Sequence, residues 1–199
     1  MTAAKSASQT FTLVPRNEND AKDTILLYHY ADKRDGLIGA DLFIYANGKF
    51  TCQSYTDVAY WISAGTWTKT GEDFSFSSNL KNTLPINVSY LPLQTEEHRI
   101  SKFAIIKDLA GREYPHSAIS INQDSVSCYY GDLECFGSYK TIDSIKITIN
   151  DDVTSTWIKV DPTKGVIQVI LQTDIDLDRY FPFNAKFKRE DNILKPVNE

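Results

Sequence analysis

No apolar run in this 199-residue chain approaches the ~18–20 residues that a membrane-spanning helix requires. Positive charge is not in excess either. Lys and Arg number 21 against 26 Asp and Glu, so the net charge is −5 and the pI near 5.2. A protein that draws affinity from phosphates needs a basic footprint, so nucleic acid and anionic membranes are disfavoured as partners. Sustained 3.6-residue periodicity is missing, as are solenoid-length repeats and low-complexity tracts. A substantial helix is thereby excluded. The Gly-x-Ser-x-Gly elbow, the phosphate loop, the zinc-protease helix motif and the dinucleotide fingerprint are all absent. The familiar enzyme classes lose their sequence support, and neither cofactor nor metal is expected.

Cysteine is scarce, with three in all: Cys52, Cys128 and Cys135. An odd number rules out a fully paired disulfide framework. Two readings stay open: three buried thiols packing as small hydrophobes, or a Cys128–Cys135 disulfide across a turn at Gly131. Zinc is disfavoured because no close cysteine pair exists and the nearest histidine, His116, stands alone. The unpaired thiol suits a reducing compartment, whereas the Ser/Thr/Asn-rich β character suits an exported protein, so localisation stays open between cytoplasmic and exported. Residues 1–20 read as a disordered leader, since Met1–Thr10 is small and polar and lacks the apolar centre of a secretory signal.

What is present is strand signal. Hydrophobic residues make up 42% of the chain and aromatics 12%, enough to bury a core. Asn47-Gly48 separates two extended runs and predicts a type I′ hairpin. Asp73-Phe74-Ser75-Phe76-Ser77 alternates strictly, as does Ser144-Ile145-Lys146-Ile147-Thr148-Ile149, which marks strands with one buried face. Residues 24–30, 60–68, 102–107, 117–121 and 125–130 read as further strands. Residues 156–160 and 165–171 read as a hairpin across Asp161-Pro162-Thr163-Lys164. Residues 79–98, with Pro85, Pro92 and a polar stretch ending at His98, read as a long connection and hence a boundary. The expectation is an all-β, soluble, acidic protein. Its N-terminal half is an antiparallel meander or barrel (21–90) and its C-terminal half a β-sandwich-like domain (100–199).

Leu42-Phe-Ile-Tyr-Ala-Asn-Gly-Lys-Phe50, Ala64-Gly-Thr-Trp67 and Asp73-Phe-Ser-Phe76 together resemble the bacterial lipocalin-like pattern over residues 24–78. Phe103-Ala-Ile-Ile-Lys-Asp108, Gly111 and Ala118-Ile-Ser-Ile121 resemble the opening of a transthyretin-like or carboxypeptidase-regulatory-like sandwich, over residues 100–150. Both resemblances imply binding or scaffold modules rather than enzymes.

Few residues invite a chemical role. His29 lies within a strand, His98 in the polar connection and His116 beside a strand, none with a nucleophile or carboxylate at motif spacing. Asp174, Asp176 and Asp178 alternate with Ile175 and Leu177, and read as the solvated edge of a strand. A calcium loop fails because its sixth position is Arg179 and its twelfth Ala185. Trp61 and Trp67 share one strand face with Ser63 and Gly65 between them, which suits either a close-packed core or a ligand slot. Tyr129 and Tyr130 suit either core or an exposed aromatic contact. The expected function is a non-enzymatic binding or protein-interaction module for an unknown protein. The alternatives are a small apolar-ligand carrier in a barrel or cup, and a hydrolase with a site assembled from distant residues.

Overall fold

The structure is a computed structural model that describes residues 9–15, 25–34, 38–80, 83–92, 104–129, 135–149 and 153–197. Short hairpins organise the first stretch. β2 (Leu26–Arg34), β3 (Ile38–Tyr45), β4 (Lys49–Tyr55), β5 (Tyr60–Thr70) and β6 (Asp73–Ser78) pair in order, each antiparallel to the next. The Asn47-Gly48 turn joins β3 to β4 as expected, but its type differs. A type I′ turn needs positive φ at two consecutive residues, and here only Gly48 has it, at 77°. The Gly48 N–H donates to the Tyr45 carbonyl at 3.2 Å, and Asn47 Oδ1 accepts from the Lys49 N–H at 3.0 Å. This is a longer turn closed by one left-handed glycine.

The sheet closes on itself. β1 (Phe11–Leu13) pairs with β2 on one side and β18 (Ile193–Pro196) on the other, and β17 (Ala185–Glu190) joins β18 to β6. All eight strands of this closed barrel run antiparallel to their neighbours. Eight strands enclose a space that side chains alone can fill, and here aromatic rings fill it. Phe11, Phe50, Phe74, Phe183 and Phe187 are all buried. Phe183 lies among them, its ring centre 5.6 Å from both Phe50 and Phe76, 6.1 Å from Phe187 and 6.4 Å from Phe11. The expected alternation holds, with Phe74 and Phe76 inside.

Between β6 and β17 the chain leaves the barrel and returns. One unit comprises Met1–Leu80 with Arg179–Glu199, the other Lys81–Asp178. The expected order of two consecutive domains, 21–90 and 100–199, is therefore corrected to a barrel with an insertion. The physical reason is core completion: Phe183, Phe187 and Leu194 are buried with the rings of β4 and β6 in one cluster. Exit and return are tied together. The Tyr180 hydroxyl donates to the Leu80 carbonyl at 2.5 Å, and the Ser78 N–H donates to Asn184 Oδ1 at 3.0 Å.

Among the described residues, the inserted unit has two sheets. β7 (Thr83–Leu84), β10 (Ala118–Ile121), β11 (Gln123–Tyr129), β12 (Cys135–Phe136), β13 (Ser144–Thr148) and β14 (Thr154–Ser155) form one, in the order β12-β11-β10-β13-β14-β7. β15 (Ile158–Lys159) also pairs with β13. In the other, β16 (Val166–Leu171) lies between β8 (Ile86–Leu91) and β9 (Ala104–Asp108). Ile145, Ile147 and Ile149 are buried, as their alternation predicts.

Two expectations fail here. Residues 79–92 are not a structureless connection, because Ile86-Asn-Val-Ser-Tyr-Leu91 pairs along the whole length of β16. The part of that connection beyond Pro92, including His98, lies outside the described residues. Residues 158–159 and 166–171 do not form a hairpin with each other. Asp161 Oδ1 accepts from the Thr163 N–H at 3.1 Å and caps a 3-10 turn at Pro162–Lys164, which redirects the chain into the second sheet. No helix among the described residues is long and apolar enough to cross a membrane.

Candidate functional site

The Trp61–Trp67 slot comes first, since its residues are consecutive on one face of β5. Both indoles pack against the barrel core. Trp67 stacks on Phe74 with ring centres 5.7 Å apart, and its Nε1–H donates to the Tyr45 carbonyl at 2.9 Å. The small residues between the indoles admit neighbours rather than a ligand. A Cβ on Gly65 would sit 2.0 Å from the Ser77 carbonyl oxygen and 2.7 Å from the Phe50 ring. Ser63, fully buried, shares a hydrogen bond with Ser78 at 3.1 Å. Only glycine allows β6 this close.

Tyr129 lies elsewhere. Ser127 pairs with Phe136 and Cys128 with Cys135, so Tyr129, two residues from Ser127, shares a sheet face with Phe136. Their rings meet edge to face at 6.3 Å, and they are 41% and 59% exposed. On the opposite face Cys128 and Cys135 form a disulfide with an S–S distance of 2.09 Å. Of the two cysteine readings, the structure therefore carries the bridged one. Cys52 is the remaining thiol, sealed in the barrel, and burial followed by the nearby Asp41 charge pushes its pKa far up. Tyr130 lies outside the described residues.

The histidines are not equivalent. On β3, Leu42 and Ile44 face the core, so Asp41 and Phe43 face outward, and His29 pairs with Phe43 on that outer wall. His29 Nε2 lies 2.7 Å from Asp41 Oδ1, and its ring stacks on Phe43 at 4.4 Å. Its Nδ1 is buried without a hydrogen-bond partner. Burial pushes the neighbouring Tyr55 phenol up, and the charge of Asp41, which it also hydrogen-bonds, adds to this. A histidine and a carboxylate thus meet, which spacing alone did not show. A nucleophile is the missing member, since neither hydroxyl nor thiol bonds the free ring nitrogen.

The acidic stretch 174–178 is a loop ending in a 3-10 turn at Leu177–Arg179, not a strand edge. It wraps a cation that sequence reading passed over. Arg112 donates from Nη2 to the Asp174 carbonyl, and its Nη1 lies 3.7 Å from Asp176 Oδ2. The anchor below is Asp108, whose buried carboxylate accepts from the Arg112 N–H at 2.9 Å, Arg112 Nε–H at 2.6 Å and the Tyr114 hydroxyl at 3.1 Å. Burial pushes the Asp108 carboxyl up, but these hydrogen bonds outweigh it and hold it below the ordinary carboxylate range. Burial likewise pushes the Tyr114 phenol up to about 12, with the Leu177 N–H opposing and Asp108 reinforcing. Asp178 is raised by burial and then by Asp176, with His116 and Arg112 partly offsetting. No group of three or more metal-ligating side chains converges among the described residues. The cluster ties the loop at 174–178 to Asp108 through Arg112 and Tyr114.

No family model matches this chain, and no match is found among curated proteins or among solved structures.

Proposed function

We propose that the chain is a non-enzymatic interaction module that recruits a protein partner through the edge of its inserted unit. The observation that carries this reading is the exposed Tyr129–Phe136 pair on β11 and the two-residue edge strand β12. Exposed aromatics supply large contact area at little entropy cost, and interface centres are rich in them. The Cys128–Cys135 bridge fastens β12 to β11 and so holds the two rings in place. The resemblances to lipocalin-like and transthyretin-like modules point the same way. The carrier reading loses support because the barrel interior is occupied by its own rings. His29–Asp41 is the one observation favouring a hydrolase, and it lacks a nucleophile.

The test compares the full chain with a Tyr129→Ser/Phe136→Ser double variant, each immobilised and exposed to native extract. The expected result is a partner retained by the natural chain and weakened about 10-fold or more in the variant, in line with aromatic hot spots. Equal retention by both forms, with circular dichroism unchanged, sinks the proposal.

A further inference from the structure

The inserted unit defends most of its strand edges. In the larger sheet both outer strands, β12 and β7, are two residues long. In the smaller sheet the outer side of β9 is covered. The Tyr114 N–H donates to the Ile106 carbonyl at 3.1 Å, and the Asp108 N–H to the Arg112 carbonyl at 3.0 Å. β8 is the exception. It is six residues long, pairs with β16 without a register shift, and holds neither a charged residue nor a proline. Shortness, bulges, charge and proline are the usual defences of an edge, and β8 has none of them. Pro85 and Pro92 only bound it at either end.

One hydrogen bond settles where the backbone of β8 points. The Gln172 N–H donates to the Pro85 carbonyl at 2.8 Å, so these two residues sit at a hydrogen-bonded position of the antiparallel ladder. Bonded and non-bonded positions alternate, so Asn87, Ser89 and Leu91 turn their N–H and C=O toward β16. Ile86, Val88 and Tyr90 turn theirs to the open side, where no strand pairs among the described residues. The side chains of these three are also unfinished. They stand opposite Leu171, Val169 and Ile167, on the same face of the sheet. Those three are buried, whereas Ile86, Val88 and Tyr90 are only half-buried. The apolar layer of the sheet runs on to β8 and ends there unsealed.

We propose that β8 pairs with β8 of a second copy, antiparallel about a two-fold axis at Val88, and so forms a homodimer. Symmetry selects this occupant. The outward-pointing positions 86, 88 and 90 are symmetric about 88, so Val88 meets its own counterpart and Ile86 meets Tyr90 of the second copy. All of these are hydrogen-bonded positions, and every outward N–H and C=O of the three residues gains a partner. The side chains match as well. Val88 packs on its counterpart and Ile86 on Tyr90 along the apolar face, Asn87 lies opposite Ser89 on the other, and no like charges meet. A single strand pair buries little surface, so the dimer is weak, with a Kd on the order of 10 µM. The contact uses no residue of the Tyr129–Phe136 edge, and it stands or falls apart from that reading.

Sedimentation velocity of the full chain across roughly 1–200 µM tests this, and a reversible monomer–dimer equilibrium is expected. Val88→Lys sets two like charges face to face on the two-fold axis, as does Val88→Glu. Each should weaken the dimer about 10-fold or more. An equimolar mixture of the two variants should recover it, because only on the axis does a position meet itself. A misfolded variant could not be rescued in this way. If neither charged variant folds, Val88→Pro decides: the Val88 N–H points away from β16, so the ladder survives while the chain becomes monomeric. A monomer at every concentration overturns the proposal. So does a dimer that persists in the folded variants, which places the contact on another face, and so does failure of the mixture to recover association.

Discussion

The barrel and the inserted unit bury β surface in different ways. The barrel has no edges, and its centre is a cluster of phenylalanine rings in mutual contact. The inserted unit keeps its edges. It limits one of them to a two-residue strand fastened by a disulfide, and pins a loop with the Asp108–Arg112 pair. Closure leaves only the ends of a sheet for recognition, whereas an open sheet offers a face and an edge. Hydrophobic packing holds both units, as the buried Ile119, Ile121, Ile145 and Ile147 show for the inserted one. Among the described residues, only there do a disulfide and a buried carboxylate–guanidinium pair fasten the edge and a loop, so the two should respond differently to reductant and to acid.

The largest expected effect is in the barrel. Phe183→Ala removes a ring in contact with Phe11, Phe50, Phe76, Phe181 and Phe187. A loss of about 3–5 kcal/mol is expected from guanidinium unfolding curves. A reductant should leave that barrel transition alone and act on the inserted unit instead. Opening the Cys128–Cys135 bridge, whose sequence separation is 7, should lower the inserted unit's stability by about 2 kcal/mol on loop-entropy grounds. If dithiothreitol shifts both transitions equally, the contrast between the units collapses. Thiol counting sharpens it: Cys52 should resist alkylation in the native state and react once the barrel unfolds, without any reductant.

The polar lock between Asp108 and Arg112 responds to a different change. Asp108→Asn should cost about 2 kcal/mol, less than for a fully buried pair because Arg112 is partly in water. Since the Asp108 pKa is depressed in the folded state, its contribution is present above the ordinary carboxylate pKa. It is lost as pH falls through the lower folded value. Urea midpoints of the inserted unit should therefore drop on acidification, and Asp108→Asn should flatten that drop. Asp178 has the opposite sign. Its folded pKa is raised, so its unfavourable contribution develops as pH rises through that value. Asp178→Asn should consequently stabilise the unit slightly at neutral pH, the smallest effect of the set because Asp178 is exposed and water screens its charge.

Local signals were legible in the sequence because period two and turn glycines act over a few residues. Phe74/Phe76, Ile145/Ile147 and the Asn47-Gly48 turn were read in this way, and their strands are where that reading put them. Barrel closure was not legible. The residues that tie it are far apart in the chain, as Ser78 and Asn184 are, separated by 106 positions. Nothing in Phe181-Pro-Phe-Asn-Ala-Lys-Phe187 says which strand it will meet. The same limit hid the lock, because Arg112 reaches Asp174 across 62 positions. Asp174, Asp176 and Asp178 looked like a strand edge because alternation alone cannot tell exposure to water from exposure to a distant guanidinium. The Trp61–Trp67 face stayed ambiguous in the sequence for a related reason, since a glycine between large residues marks close approach without naming what approaches.

Insertion within a closed barrel has a consequence for synthesis. A ribosome delivers β6 long before β17, and at roughly 5–20 residues per second the 106 positions between Ser78 and Asn184 take on the order of 5–20 s. Throughout that interval the edge of β6 has no partner and the Phe74 and Phe76 rings lack Phe183 and Phe187, while the inserted unit emerges with all of its own strands. The nascent barrel is therefore the segment that most needs a chaperone, and the inserted unit is free to fold first.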